Sequence, residues 1–347
     1  MSAGLKRMSA SVADDLGTSD RPRSGGIEKV AILAAKLLVT GACFWYVARQ
    51  IDMRALLSAI PLLDFRWAAL AVVVAMSQIP LVALRWGSIL DGLTARARRL
   101  TDGAMIAITA IGVFFVQVLP SAVGEGVRAW LLVRLGCGWR PAVTSVLIDR
   151  AVGVGLLVAL GFVALLFPSG LTALGGYRDL VLAAYAALLL AGVVGLLLIP
   201  KVVPLLARWR YSRWIAMLAA DVRRVLLGRR SPAIIAAGIL IHLLTIFIVW
   251  SLGRAQGLAL PLPDAAVLFT IMVGVTIVPI SISGWGLREL AVVSLLANFG
   301  VAPEKALLFS VCFGVTLAIG SLPGALAWLL YSFAPSPDSP GTADQEG

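Results

Sequence analysis

The 347-residue sequence is too apolar for a water-soluble protein: 60% of its residues are hydrophobic, 14% are charged, and the mean hydropathy is +0.96. Because soluble domains carry about a quarter charged residues, a soluble globular fold is excluded. The net charge of +11 comes from Lys and Arg residues that lie mostly between apolar segments. This distribution favours membrane lipids with anionic headgroups as partners and argues against nucleic acid.

The chain is predicted to form one all-α polytopic membrane domain over residues 30–332. Residues 1–29 are polar and are expected to form a disordered cytoplasmic N-terminal arm, and residues 333–347 a disordered C-terminal tail. Transmembrane helices need about 20 apolar residues to cross a hydrocarbon core of about 30 Å. Strong apolar segments cover residues 30–48, 66–84, 103–119, 142–167, 178–199, 232–253, 264–282 and 304–331, and weaker ones cover 126–135 and 286–299.

The distribution of positive charge decides between two topologies. If all eight strong segments crossed the membrane and the N-terminal arm were cytoplasmic, the most basic loop, 201–230, would face outward. That arrangement contradicts the positive-inside rule. The conflict disappears if residues 103–135 and 264–299 form re-entrant helical hairpins that open to opposite sides. About six full transmembrane helices and two hairpins are therefore predicted, with both termini in the cytoplasm.

An internal repeat coincides with the two predicted hairpins. In each copy a proline, Pro120 or Pro279, is followed four or five residues later by the pattern G-x-G-x-R, which ends at Arg128 or Arg288. Because the hairpins open to opposite sides, the two copies would form an inverted repeat. In folds of that kind the binding site lies near the bilayer midplane, between the repeats.

The repeated pattern has the parts of a phosphate site. Glycines allow a turn that exposes backbone N–H groups, the following helix presents its positive end, and arginine adds a forked donor. The predicted lipid-phosphate-binding residues are Gly124, Gly126, Arg128, Arg150, Gly284, Gly286 and Arg288. In the competing interpretation the glycines only permit close helix packing, and each arginine neutralises a neighbouring glutamate, Glu125 or Glu289.

Charged residues inside apolar segments are further candidates, because an arginine at the bilayer centre costs about 2.5–3.5 kcal/mol on insertion scales. Asp149 and Arg150 are adjacent on a helix and point about 100° apart, so each needs a partner elsewhere. Arg150 is expected to reach either Glu125 or a second phosphate oxygen. Glu125, Asp149 and Glu289 are candidate proton-coupling carboxylates, although neutralising an arginine is the favoured role for each.

Other features are predicted to have no chemical role. His242 is expected to make one satisfied hydrogen bond, and Arg85 with Trp86 to end a helix at the cytoplasmic boundary as an anchor. Residues 201–230 suit an amphipathic helix on the cytoplasmic face. The sequence has no nucleotide-binding G-x-x-x-x-G-K-[ST] pattern and no H-E-x-x-H pattern, so no catalytic residue, metal or cofactor is predicted.

The segments LPSAVGEGVR (119–128), SVLIDR (145–150) and PISISGWGLRE (279–289) resemble the membrane region of bacterial lysylphosphatidylglycerol synthases and their stand-alone flippase-like relatives. The resemblance extends over about residues 30–332, and Asp149 stands where the family usually has glutamate in a Glu-Arg pair. It implies a multi-pass protein of the bacterial inner membrane that moves a phosphate-bearing lipid between leaflets.

The full-length synthases add a soluble aminoacyl-transfer domain, which this sequence lacks, so the resemblance does not imply synthesis. An enzyme is therefore not the favoured interpretation. The alternatives are a membrane-embedded enzyme or an auxiliary subunit in lipid or lipid-linked glycan biosynthesis, with lipid-biosynthesis enzymes as partners.

Overall fold

A computed structural model of the chain describes residues 63–94, 100–119, 121–167, 177–207, 213–277 and 286–333, and every regular element in these ranges is an α-helix. The predicted span 30–48, the N-terminal arm and the C-terminal tail after residue 333 lie outside the described residues. The described helices are α1 (Phe65–Leu93), α2 (Asp102–Val118), α3 (Ser121–Arg134), α4 (Trp139–Leu166), α5 (Tyr177–Ala207), α6 (Arg213–Leu226), α7 (Ser231–Ala255), α8 (Leu262–Ile277), α9 (Leu287–Ala297), α10 (Pro303–Gly320) and α11 (Leu322–Phe333).

Five segments of the described chain are long and apolar enough to cross a membrane. They are α1, α4, α7, most of α5, and α10 continued into α11 as Pro303–Leu330. Helices α2 and α8 are apolar but shorter. The prediction of an all-α polytopic membrane protein is confirmed, and most predicted segment bounds lie within a few residues of the helix ends.

Helix α1 continues well past its predicted end. The sequence analysis ended it near residue 84, but it runs to Leu93 and stops at Thr94, which is extended. Trp86, Ile89 and Leu90 are fully buried. They lie on one side of the helix at three- and four-residue spacing, so the apolar face continues after the charged residue at position 85.

Helices α2 and α3 form an antiparallel hairpin. Gly112 lies against the side chain of Arg128, and a Cβ atom on Gly124 would lie 2.5 Å from the backbone nitrogen of Val116. Both contacts join positions at equal distances before and after residue 120, where the sequence predicted the turn. A helix of 17 residues is about 25 Å long, which is shorter than the apolar core of about 30 Å. This length suits re-entry, which stays a prediction.

The helix contacts repeat between two halves of the described chain. In α1–α4 and again in α7–α10, the first helix packs on the second, the second on the third, and the third on the fourth. Between the halves, α1 packs on α10 as α7 packs on α4, and α2 packs on α10 as α8 packs on α4. Helices α1 and α7 form the most extensive contact and lie at the centre. The inverted orientation of the halves stays a prediction.

Helices α5 and α6 lie at the periphery. The membrane-spanning part of α5 buries none of its residues and contacts α4 and α6. Helix α6 is amphipathic: Ala216 and Val225 are buried, whereas Trp214 and Ile215 are exposed beside its basic residues. This is the pattern predicted for a helix lying on a membrane surface.

Candidate functional site

The first G-x-G-x-R pattern lies inside a helix. Helix α3 begins at Ser121, so Gly124 and Gly126 belong to it. The expected open turn at these two glycines is therefore wrong. Gly124 is buried against the backbone of α2, as the packing interpretation required, whereas Gly126 is exposed, and a Cβ atom at this position would meet no neighbouring group within 4 Å. Beyond the first helical turn N–H groups are bonded within the helix, so Gly126 does not offer its own to an anion.

Asp149 on α4 joins two arginines from two other helices. Its Oδ1 accepts from Arg85 Nε on α1 at 2.8 Å, and its Oδ2 accepts from Arg128 Nη1 on α3 at 3.2 Å. All three side chains are less than a tenth exposed. The buried carboxylate thus links α1, α3 and α4 through ion pairs with two buried guanidinium groups.

Glu125 extends this cluster toward open space. Its Oε2 lies 3.0 Å from Arg128 Nη1, and its Oε1 lies 3.0 Å from Arg150 Nε. Of the two partners that the sequence left open for Arg150, Glu125 or a phosphate oxygen, the structure shows the contact with Glu125. The five groups form a chain of alternating charge, Arg85–Asp149–Arg128–Glu125–Arg150, which we call the arginine relay. Side-chain exposure rises along it from 4% at Arg128 to 14% at Glu125 and 45% at Arg150.

Trp86 supports the centre of the arginine relay. The Arg128 guanidinium lies over its ring, 4.1 Å from the ring centroid, and its Nε1 donates to Ser145 Oγ at 3.1 Å. A cation over an indole face gains roughly 2 kcal/mol or more when the pair is desolvated. Within the described part of the chain, Nε and Nη2 of Arg128 are buried and have no hydrogen-bond partner. The relay therefore retains unused donors.

The role predicted for Arg85 and Trp86 is wrong. They were expected to anchor a helix end at the membrane boundary, but Trp86 is fully buried, Arg85 is only 8% exposed, and the helix continues beyond them. Asp149 lies in an apolar segment and therefore requires a positively charged partner, and this was the one sequence signal that pointed toward Arg85. Sequence alone did not indicate which of many arginines supplies it.

The second pattern is built differently from the first. Gly286 has a φ of +86° and precedes the first residue of α9, and its N–H donates to Glu289 Oε2 at 2.6 Å. Glu289 Oε1 accepts from Arg288 Nε and Nη2 at 3.0 and 2.6 Å and from Ser310 Oγ at 3.0 Å. Glu289 is therefore a helix cap and a counter-ion at once. Gly284 lies outside the described residues.

Residues from both halves of the chain border one cavity of about 790 Å³. Glu125, Gly126 and Arg150 border it from the first half, and Arg288 borders it from the second. Most of the remaining wall is apolar, with Phe269, Met272, Phe313, Val143, Val146, Leu147, Ile241 and Leu317 among its residues. Residues of both repeated patterns, Gly126 and Arg288, thus border one cavity, and its role as the predicted binding site stays a prediction.

A smaller cavity of about 280 Å³ is bordered by all five members of the arginine relay. Gln117 and His242 border both cavities. His242 Nε2 bonds to the Gly153 carbonyl at 3.0 Å, the single hydrogen bond predicted for it. Three predicted site residues border neither cavity: Gly124, Gly286 and Glu289. Gly124 allows close packing of α2 and α3, and Gly286 and Glu289 position and neutralise Arg288. The described residues contain no group of His, Cys, Asp or Glu side chains arranged to hold a metal ion.

The apolar helices and the buried ion pairs define a polytopic α-helical membrane protein with a polar site inside its membrane domain. The family model of the lysylphosphatidylglycerol synthase TM region matches residues 33–324, and the chain belongs to this family. Its membership places the chain among membrane proteins with lipid-related functions. No curated protein matches the chain, and no solved structure matches it.

Proposed function

We propose that this protein moves a phosphate-bearing lipid between the leaflets of the bacterial inner membrane, with both termini in the cytoplasm. One observation carries the proposal: a largely apolar cavity is bordered by guanidinium groups from both halves of the chain, Arg150 and Arg288. A phosphate group that enters hydrocarbon bare loses its hydration, and paired charges and donors offset that loss.

The size of the cavity suits a headgroup rather than a whole lipid. Small-ligand sites measure about 300–1,000 Å³, and this cavity of about 790 Å³ lies within that range. In the proposed mechanism the headgroup occupies the cavity while the acyl tails stay in the surrounding lipid. Arg150 receives the phosphate first, because it is the most exposed arginine of the relay.

Glu125 is the best placed of the three candidate coupling carboxylates. Asp149 is held by two buried arginines, and Glu289 accepts from a backbone N–H, a hydroxyl and an arginine. Glu125 is more exposed than Asp149 and borders both cavities, so solvent or a headgroup in the cavities can reach it. Ion coupling through Glu125 is part of the proposal.

The test is lipid translocation in reconstituted vesicles that contain fluorescent phospholipids, with dithionite added to quench the outer leaflet. We expect the protein to accelerate exchange over protein-free vesicles, and Arg150→Gln to reduce the rate by about tenfold, a loss of roughly 1.4 kcal/mol. Arg150 is suited to substitution because its side chain is almost half exposed, so the fold tolerates its loss.

A matched control is Arg140→Gln. Arg140 is also a half-exposed arginine paired with a carboxylate, Asp221, at 3.1 Å, but it does not border either cavity that contains the relay. Vesicles that contain the Arg140→Gln variant should exchange lipid at the same rate as vesicles with the wild type. Exchange no faster than in protein-free vesicles, or equal rates for Arg150→Gln and the wild type, would contradict the proposal.

A further inference from the structure

His242 borders both cavities of the site and is the single histidine in the sequence. It belongs to α7, and its Nε2 lies 3.0 Å from the carbonyl oxygen of Gly153 on α4. A carbonyl oxygen only accepts hydrogen bonds, so Nε2 carries the hydrogen of the neutral ring. The lone pair of the ring is therefore on Nδ1, which is where a second proton would bind.

The Nδ1 atom of His242 is accessible. Among the described residues the ring makes no other hydrogen bond, and Nδ1 is not one of the fully enclosed polar atoms that lack a partner. Because the residue borders both cavities, a proton or a ligand in them can reach this atom. In the neutral ring Nδ1 accepts a hydrogen bond, and in the imidazolium it donates one with the added strength of a positive charge.

The charged groups around His242 oppose a second proton as long as no anion is bound. Helix α7 packs on α1, α4, α8 and α10, and the residues of α8 and α10 that border the cavities are uncharged. From α1, α3 and α4 the arginine relay contributes three arginines and two carboxylates, which leaves one surplus positive charge among the described residues. Arg288 of α9 is balanced by Glu289, and the segment 278–285 before α9 has no charged residue in its sequence. An imidazolium would therefore lie beside a site that is already positive.

We infer that His242 is a proton-binding residue, and that it takes up a proton at Nδ1 when an anion enters the cavities. The anion cancels the surplus positive charge, and its oxygens accept a hydrogen bond from the new N–H group. This inference rests on the proposed function and adds one proton to what the loaded site holds. Because linkage is reciprocal, a proton on His242 strengthens anion binding by the same factor by which the anion strengthens proton binding.

The size of this coupling follows from the interaction between two charges. Unit charges roughly 8 Å apart, in a medium with an effective dielectric constant of about 20, change an equilibrium by about tenfold or more. Solvent around Arg150, whose side chain is 45% exposed, keeps the effect near the lower value. A neutral ring that only accepts a hydrogen bond from a ligand would produce no such dependence of affinity on pH.

The first experiment observes His242 directly, by histidine-selective isotope labelling and magnetic resonance. The full-length protein is purified without a polyhistidine tag and placed in nanodiscs of a neutral, phosphate-free lipid. A single histidine gives a single set of ring signals, which distinguish a neutral ring from an imidazolium. The anion is phosphatidylglycerol, whose phosphodiester does not titrate in the range used. At about pH 5 we expect an imidazolium with phosphatidylglycerol and a neutral ring without it, and at about pH 8 a neutral ring in both samples.

The second experiment measures the affinity for phosphatidylglycerol at the same two pH values. The wild type should bind about tenfold more tightly at the lower pH. His242→Gln retains an amide that can donate to the Gly153 carbonyl but takes up no proton, so its affinity should be equal at both values. Glu125→Gln is the matched control, because Glu125 also borders both cavities and also titrates. Its affinity changes at both pH values, but the ratio between them should stay near that of the wild type.

A ring that is neutral in both samples at the lower pH, or an imidazolium in both, would overturn the inference, and this measurement requires no variant. A pH dependence that is lost in Glu125→Gln and kept in His242→Gln would assign the proton to Glu125 instead. Ring signals and vesicle exchange are separate measurements. Lipid exchange without protonation of His242 would therefore refute the inference alone, whereas protonation without exchange would refute the proposed function alone.

Discussion

Replacing Asp149 by asparagine is expected to destabilise the protein strongly, because one carboxylate neutralises two buried arginines. Its oxygens lie 2.8 Å from Arg85 Nε and 3.2 Å from Arg128 Nη1. With charge centres roughly 4 Å apart and an effective dielectric constant of about 20, each pair contributes about 4 kcal/mol. Without the carboxylate, folding no longer has the cost of desolvating it, which is several kcal/mol. We therefore expect the free energy of unfolding to fall by about 3–5 kcal/mol in total.

The assay is unfolding of the purified protein in detergent, followed by tryptophan fluorescence. The control is Asp221→Asn, which breaks the surface pair with Arg140, whose side chain is 54% exposed, and should cost about 0–1 kcal/mol. In a double-mutant cycle, Arg85→Ala with Asp149→Ala should cost less than the sum of the single changes by about 0.5–3 kcal/mol. A loss for Asp149→Asn no larger than that of the control, or additive losses in the cycle, would refute the reasoning.

Substitutions at four further positions test the packing around the site by the same unfolding assay. Gly124→Ala should destabilise the hairpin by about 1–3 kcal/mol, because the new Cβ would lie 2.5 Å from Val116 nitrogen, whereas Gly126→Ala points into open space and should be neutral or stabilising by up to about 1 kcal/mol. Equal effects of the two would contradict the hairpin geometry. Gly286→Ala should cost about 1–2 kcal/mol because of its φ of +86°, and no loss would argue against that backbone conformation. Trp86→Phe keeps an aromatic face for the buried guanidinium but loses an indole hydrogen bond, so it should cost about 1 kcal/mol, and Trp86→Leu more.

The sequence predicted the helices well, because their apolar segments are long and their ends are marked by polar residues. There are two exceptions. Helix α1 continues past a charged residue at position 85 that was taken as a boundary, and α5 continues from its predicted end at 199 to Ala207, so the predicted surface helix over 201–230 is reduced to α6. Hydropathy alone does not distinguish a charge at the membrane surface from one that is buried and paired. The distinction depends on Asp149, 64 positions later in the chain.

The sequence identified several residues of the candidate site but not which of them contact each other. The repeated pattern identified Arg128 and Arg288, and the wall of one cavity contains Arg150 and Arg288. The two copies look alike in sequence, but in one the glycine nearest the arginine is helical, and in the other Gly286 starts the helix with positive φ. Backbone conformation at glycine is set by tertiary packing, which a short pattern does not reveal.

The two glutamates of the repeated pattern provide a last prediction, because each follows or precedes an arginine but their surroundings differ. Glu289 is fully buried and accepts hydrogen bonds from Gly286, Arg288 and Ser310. Glu289→Gln leaves Arg288 without the charge that balances it and turns an amide N–H₂ toward other donors, so we expect a loss of about 3–5 kcal/mol. Glu125→Gln removes the same charge, but Arg128 keeps Asp149 as a partner and Arg150 reaches solvent, so the loss should be about 1 kcal/mol. Unfolding of the two variants under identical conditions measures the difference. Equal losses would mean that Glu289 in the second pattern is no more important for stability than Glu125 in the first.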